Sequence, residues 1–524
     1  MKRKIVVLLL CFAMLCTCFG GCRQEEKIQL IDDEYRNFYQ IFPGSYYDSN
    51  GDGSGDLQGI IQKLDYIEEM GFNGIWMTPI MPSPTYHKYD VTNYYEIDPA
   101  FGTIEDYEAL VEACHERGIR LIVDLVLNHT SNKHPWFTEA VAYLETLEEG
   151  QEPDLTACPY VGYYYFAKEG AQGVNWHKAG NSDFYYEGVF VSEMPDLNLE
   201  NQAVRKEFED IIKFWLDMGT DGFRLDAAKE YFTGYAAKNT EVLKWITDYT
   251  KSVNEEAYLV AEVWERGQST LVEYYASGID SLFNFPAATQ EGAVMKTARN
   301  RVDVSEYVTW MINQRSQDLE KNPNYIDAPF VSNHDTTRIS AQSVSDEGVM
   351  KFAAGLLLTM PGSPFVYYGE EIGMKSKGDL DQNKRLPMYW SATNTEGITE
   401  PPKGAESVEQ KFPALDEQME DETSIYHYYK NALKVRNSYP EIARGDVTKV
   451  EGTFPQGTAA VLRQWGEESC VVVYCNAEEG TTLDLAAAGL SEYEMKASLT
   501  VGEDAVVIEN NEMKLPFGSI VIMK

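Results

Sequence analysis

Two acidic side chains in this chain are placed so that one could attack a carbon centre while the other hands a proton to a departing oxygen. Arg224 and Asp226 stand two apart in Gly222-Phe-Arg-Leu-Asp226, so on an extended strand they point the same way. The guanidinium then holds Asp226 ionised and oriented. Glu262 closes a second apolar run in Ala261-Glu-Val-Trp264, where partial burial by Val263 and Trp264 favours its protonated form. An ionised carboxylate facing a protonated one is what retaining cleavage of a glycosidic bond asks for: attack at the anomeric carbon and protonation of the leaving oxygen. Two further polar clusters end apolar runs, Asp124-Leu-Val-Leu-Asn128-His129 and Ser332-Asn333-His334-Asp335. A single carboxylate at a strand end is usually a cap or an ion pair. Four such clusters behind four runs are much harder to explain as caps.

The elements that must position these groups are legible as a repeat. Short apolar, β-rich runs at 38–42, 74–77, 121–125, 222–225, 259–261, 281–283, 330–332 and 364–367 alternate with amphipathic stretches such as 57–70, 104–117, 201–218 and 349–359. Eight βα units with near-continuous apolar strands predict a closed (β/α)8 TIM barrel, whose active site lies at the C-terminal ends of the strands. The third and fourth runs are separated by a long Tyr- and Gly-rich segment, read as an inserted domain over 130–199. The barrel thus occupies 33–129 and 200–443. After a last helix near 424–437, short strands at 447–450, 459–464, 469–475, 505–508 and 520–523 predict a C-terminal antiparallel β-sandwich domain over 444–524, whose expected role is to cover one side of the barrel.

Bulk properties narrow the ligand class. A net charge of −39 excludes nucleic acid, which is bound mostly through Lys and Arg, and also electrostatic docking on anionic lipid. The 34 Tyr and 9 Trp mostly serve the core, with a surplus suited to stacking on sugar rings. Lys2, Arg3 and Lys4 followed by the apolar run Ile5–Phe19 form a secretory signal over 1–21. Gly20-Gly21-Cys22 matches a bacterial lipoprotein processing site, which predicts a cell-surface protein with lipid on Cys22, a tether over 22–32, and membrane contact only through that anchor. The alternative is plain secretion with Cys22 unmodified. The remaining Cys114, Cys158, Cys470 and Cys475 are scattered, and odd spacing puts Cys470 and Cys475 on opposite faces of one strand, so no disulfide is expected.

The segments DLVLNH, GFRLDAAKE, AEVW and FVSNHD, in this order, resemble the α-amylase superfamily, glycoside hydrolase family 13, across essentially the whole mature chain. The resemblance implies Asp226 as nucleophile, Glu262 as general acid/base and Asp335 as a third carboxylate that binds sugar hydroxyls. It further implies sugar contacts from His129 and His334, Arg224 as the orienting cation, and Tyr89 as a stacking ring. His87 and Asp90 are read equally as contacts or supports, and Arg385 equally as a site contact or a partner for nearby acids. MPDLN at 194–198 is similar to the subgroup intermediate between oligo-1,6-glucosidases and neopullulanases, and Ala227 is similar to α-1,4-acting members. The implied activity is an endo-acting α-amylase on starch and maltodextrins, working as a monomer. An exo-acting α-glucosidase or a 4-α-glucanotransferase uses the same residues, and a non-catalytic glucan-binding lipoprotein is disfavoured because all three carboxylates are kept.

Behind the first strand, Asp48-Ser-Asn50-Gly-Asp52-Gly-Ser54-Gly-Asp56 carries oxygen side chains at every second position, a pattern suited to calcium. The alternative is a plain Asn/Gly turn. The family resemblance implies structural calcium held by Asp48, Asn50, Asp52, Asp56 and the Ser54 carbonyl. Glu230 stands where typical α-amylases carry a His whose carbonyl binds a second calcium beside Asn128, so the resemblance does not extend to that ion.

Overall fold

The computed structural model describes residues 28, 30–168 and 175–524; the expected signal segment and Cys22 lie outside them. Residues 32–524 form one compact unit. Its centre is a parallel sheet built from β1 (Phe38–Ile41), β2 (Gly74–Met77), β3 (Arg120–Leu125), β7 (Gly222–Leu225), β8 (Tyr258–Ala261), β9 (Ser281–Leu282) and β10 (Phe365–Tyr367), in the order β10-β1-β2-β3-β7-β8-β9. Parallel bridges Phe283 to Ala328 and Phe330 to Phe365 close it into a barrel. The interior is packed with side chains: Phe38, Trp76, Ile122, Tyr258, Phe283 and Phe365 form one buried cluster, and the Phe38 and Phe365 rings stack at 4.4 Å.

Two expected elements are altered. The run at 330–332 forms bridges rather than a regular strand. Ser332 turns its N–H to the Glu370 carboxylate (3.2 Å), so a side chain takes a donor that a ladder would use, and just beyond the run the Asn333 side chain accepts the N–H groups of Asp335 and Thr336 (both 3.0 Å) and turns the chain. The helix expected over 57–70 is two, Leu57–Gln62 and Leu64–Met70. Between them Lys63 tightens to a bond with the Ile60 carbonyl three residues back (2.9 Å), and its ammonium lies over the Tyr47 and Trp390 rings at 4.0 and 4.5 Å.

The insert carries a small antiparallel sheet, β4 (Phe166–Ala167), β5 (Trp176–Lys178) and β6 (Tyr185–Glu187), and also a helix, Pro135–Leu144, that its irregular composition concealed. Pro135 opens that helix behind a His134 cap. A bridge from His129 to Asp196 ties the insert to the segment behind β3, and one from Tyr164 to Leu197 holds the insert together.

The C-terminal part is antiparallel. One sheet holds β11 (Asp446–Lys449), β12 (Thr458–Trp465), β13 (Glu468–Cys475), β15 (Met495–Leu499) and β18 (Ser519–Met523); the other holds β14 (Thr481–Asp484), β16 (Val507–Glu509) and β17 (Glu512–Leu515). β14, β15 and β17 escaped sequence reading because few of their residues are buried, as in Thr481–Asp484 where Leu483 alone is. Cys470 packs with the barrel's cluster and Cys475 with the sandwich's own, and all four described cysteines are free and buried. No helix among the described residues is long and apolar enough to cross a membrane.

Candidate active site

Strand register brings the site together. In the parallel ladder Asp124 lies opposite Arg224 and Leu225 opposite Ala261, so Asp226 and Glu262, one residue further on, emerge side by side at the C-terminal rim. Arg224 is fully buried and serves three carboxylates. Its Nη1 donates to Asp226 Oδ1 (2.6 Å) and to Asp124, and its Nη2 lies 2.9 Å from Glu262 Oε2 as an ion-pair contact. Asp124 also accepts from Trp76 Nε1 (2.9 Å). Sequence reasoning gave Asp124 no role, although a lone acid inside an apolar strand was the available signal.

One cation among three buried carboxylates cannot keep all of them ionised near neutrality. Burial pushes Asp124 up to about 7, against the pull of Arg224. Burial pushes Glu262 up to about 8, with Arg224 opposing and the Asp226 charge adding to the rise. Asp226 is raised by burial too, with Arg224, whose Nη1 it shares with Asp124, opposing the rise. Glu262 is thus held as the proton carrier. The expected cover from Trp264 is absent: that ring is 40% exposed and stacks on Phe285 at 4.9 Å, whereas Val263 is fully buried.

Behind Asp226 the backbone is strained. Ala227 adopts φ +47°, a left-handed conformation that costs a non-glycine residue about 1 kcal/mol or more. That turn aims the Ala227 N–H at Glu262 Oε2 (3.1 Å) and the Ala228 N–H at the Glu262 carbonyl (2.9 Å), tying the two carboxylate-bearing strands together.

The His334-Asp335 turn completes the rim. Gln40 of β1 donates to His334 Nδ1 (2.7 Å), which leaves Nε2 to carry the proton toward Asp335 Oδ2 (3.0 Å) and Tyr89 OH (2.6 Å). Burial lowers the pKa of His334 and keeps it neutral. Burial would raise Asp335, but His334, Arg385 and Arg224 outweigh it and hold this carboxyl well below the usual range. Arg385, 3% exposed, donates to Asp335 Oδ1 (2.6 Å), the His334 carbonyl (3.1 Å) and Tyr86 OH (3.0 Å). The two readings of Arg385 therefore merge, since the acid it pairs with is the site's own.

Tyr89 lies against the His334 ring, with centroids 5.4 Å apart and planes within 7°. His129 is buried, its pKa lowered to about 4 by burial, and its Nε2 finds no partner in the protein. Asp90 braces its loop by accepting from Ser83 Oγ (2.6 Å) and Thr85, and His87 Nδ1 accepts the Tyr89 N–H (3.1 Å). Both residues thus make hydrogen bonds within their own loop, and Asp90 Oδ2 is left buried without a partner. Gln40, Trp76 and Tyr86 were not foreseen, and Asp124 was marked only as the start of a polar cluster. Each is a polar or aromatic residue whose partner lies on another strand or loop.

The first-strand loop folds as chained side-chain turns. Asp48 accepts from Asn50 N (3.0 Å), Gly51 N (2.6 Å) and Gly53 N (2.7 Å), Asn50 from Asp52 N (2.9 Å), and Asp52 from Ser54 N (2.8 Å). Asp56 caps the following helix through Gly59 N (2.6 Å). Burial works to raise Asp48, but these donors outweigh it and keep it below the usual carboxylate range. An all-oxygen donor set fits calcium by ligand type. Among the described residues no three acidic or imidazole side chains converge as a metal group, so coordination would lean on the Asn50 amide and the Ser54 carbonyl. At the insert, Asn128 donates to Asp196 Oδ1 (3.2 Å), and burial raises Asp196 to about 8 with Glu187 and Glu230 nearby.

The model of the alpha-amylase catalytic domain matches residues 40–445. Alpha-amylase 3 of Dictyoglomus thermophilum is 36% identical over 453 residues, covering 84% of this chain and 85% of that protein. An oligo-1,6-glucosidase of Parageobacillus thermoglucosidasius is 30% identical, covering 83% and 88%. Among solved structures, Amy13B of Eubacterium rectale superposes with a TM-score of 0.91 at 39% identity, over 95% of this chain and 97% of that one.

Proposed function

The chain belongs to the alpha-amylase family of glycoside hydrolases, and on that premise we propose that it is a retaining, endo-acting α-amylase cleaving α-1,4 bonds of starch and maltodextrins. The observation that carries the retaining part of this reading is the sharing of Arg224 between Asp226 and Glu262 at the barrel rim; endo action on α-1,4 bonds rests on the resemblance of Ala227 and MPDLN. A single guanidinium touching both carboxylates favours the short separation of retaining enzymes over the wider one that admits a water.

In the proposed sequence Asp226 attacks the anomeric carbon while Glu262 protonates the glycosidic oxygen. The C–O bond breaks, the shortened chain departs, and a covalent glycosyl-Asp226 ester remains. Glu262, now ionised, takes a proton from water, the hydroxide attacks the same carbon, and Asp226 leaves with the α configuration restored. Asp335, Arg385, His334 and His129 bind hydroxyls of the distorted sugar, His129 through its unpartnered Nε2, and Tyr89 stacks on the ring.

The experiment that tests this is product analysis over time on soluble starch and on maltotriose. Iodine staining should collapse well before reducing ends accumulate, and the new ends should be α by NMR. Glucose as the sole early product would instead favour the exo reading, and β product would remove retention.

Calcium at the Asp48–Asp56 loop is part of the proposal, held by Asp48, Asn50, Asp52, Asp56 and the Ser54 carbonyl. Its contribution there is structural, pinning a loop off the reaction centre. A ligand bound only to the folded state adds stability, about 3–4 kcal/mol at a hundred- to a thousand-fold excess over its Kd. Chelation should therefore lower Tm by several degrees, reversed by added calcium but not magnesium; an unchanged Tm would dismiss the ion. Export, lipid attachment at Cys22 and a monomeric state are proposed from sequence alone.

A further inference from the structure

Behind β10 the chain makes a single helical turn, Asp381–Lys384, and then passes the rim at Arg385. The Lys384 side chain is 11% exposed. Its ammonium donates to the Asp335 backbone carbonyl (2.9 Å) and to Asp381 Oδ1 (3.0 Å).

The turn that carries Asp335 follows a run of bridges rather than a ladder, so side chains hold its polar groups. The Asp335 N–H goes to Asn333 Oδ1 (3.0 Å), the carboxylate to His334 and Arg385, and the carbonyl to Lys384. Asn333 and His334 belong to the same turn and move with it. Lys384 and Arg385 lie 49 and 50 residues further along the chain and tie Asp335 to a separate segment.

That segment is itself anchored. The Lys384 carbonyl accepts from Arg338 Nε (3.0 Å) and Tyr367 OH (3.2 Å), and the Arg385 carbonyl from Ser45 Oγ (2.7 Å). Arg338 is fully buried, its guanidinium over the Tyr367 and Tyr368 rings at 4.3 and 4.7 Å. A lysine ammonium is ordinarily a flexible point donor. Here a pinned backbone at one end and two acceptors at the other fix where it points.

The two cations act on different parts of Asp335. Arg385 touches the carboxylate and, with His334 and Arg224, holds it ionised. Lys384 touches the backbone of Asp335, so it governs where the carboxylate stands. We propose that Lys384 is a positioning residue for the reaction: it fixes the Asp335 peptide so that the carboxylate meets the hydroxyls of the distorted sugar. The proposal rests on the glucan reading of the rim. Contacts made only as the ring distorts appear in kcat rather than in KM, and misplacing such a group by about 1 Å costs about a hundredfold.

The test joins steady-state kinetics on maltotriose with amide exchange read by mass spectrometry, both on the full-length protein. Lys384→Met keeps the apolar stem and removes the donor. It should lower kcat about ten- to a hundredfold with KM within about twofold of wild type. It should also quicken exchange over 333–338 about five- to tenfold. Lys384→Arg restores a cationic donor and should return kcat to within about threefold. Asp381→Asn removes only the exposed ion pair and should leave kcat within about twofold. Wild-type kcat in Lys384→Met overturns the proposal, as does a raised KM at unchanged kcat, which would make Lys384 a substrate contact. A loss that Lys384→Arg leaves unrecovered, in a protein melting like wild type, overturns the donor role. Should Lys384→Met not fold, Lys384→Gln, a shorter neutral donor, is held to the same kcat and KM criteria. A wild type that leaves maltotriose and starch uncut removes the glucan reading instead. Exchange over 333–338 then judges the tie alone: faster exchange in the variant sustains it, and unchanged exchange overturns it.

Discussion

Asp226→Asn is expected to lower kcat on soluble starch by about four orders of magnitude or more, the scale seen when a nucleophile is removed from a preorganised site, with Tm unchanged or higher. The two halves of this result have one cause. Burial raises the pKa of Asp226 above its unfolded value of about 3.9. For an acid shifted upward, the folded state favours the protonated form. Native stability from this group is therefore greatest below the unfolded pKa and falls as pH rises toward the folded one. At neutral pH the ionised nucleophile is a load on the fold, relieved only in part by Arg224. Asn mimics the protonated carboxyl, keeps an oxygen for the 2.6 Å bond from Arg224, and leaves that guanidinium to Asp124 and Glu262. Activity and melting measured on one preparation decide the matter. Substantial residual turnover would sink the assignment of Asp226, and a large drop in Tm would show that the charge was supporting the fold.

Glu262→Gln should cost about 10²–10⁴ in kcat/KM on starch and abolish the alkaline limb of the pH profile. The general acid must carry its proton when substrate arrives. With the Glu262 pKa pushed up to about 8 by burial, against Arg224 and aided by Asp226, kcat/KM stays on a plateau below that pH and falls above it. The variant has no such group to titrate. An α-glucosyl fluoride, whose leaving group needs no proton, should suffer far less from the substitution than starch does. An alkaline limb that persists in Glu262→Gln would assign the limb to another group, and equal losses on fluoride and starch would remove the acid role.

The parts that were readable from sequence are those written locally. Apolar runs of four to six residues flanked by amphipathic stretches gave seven of the eight strands within a residue or so of their observed bounds. Polar clusters directly behind those runs marked the rim, because parallel strands buried on both faces tolerate charge only at their ends. The misreadings have a common origin in partners far along the chain. The run at 330–332 loses its ladder to Glu370, a residue 38 positions away. Lys63 breaks a helix over the rings of Tyr47 and Trp390. Trp264 fits a model of burial by neighbours, yet it turns outward to Phe285.

The sequence by itself determined which groups are available: Asp226, Glu262 and Asp335 at strand ends, Arg224 two residues before Asp226, and the oxygen-rich loop from Asp48 to Asp56. Only the tertiary structure decided how protons and charge are shared among them. It put Asp124, 100 residues away, on the same guanidinium as Asp226. It also let Gln40 set the His334 proton and placed Arg385 on Asp335. Spacing along a chain fixes periodicity and face, whereas the proton affinity of a buried acid depends on every charge within a few ångströms in a medium of low polarity. Those neighbours are chosen by barrel register and loop packing, so the roles of these acids emerge only once the chain has folded.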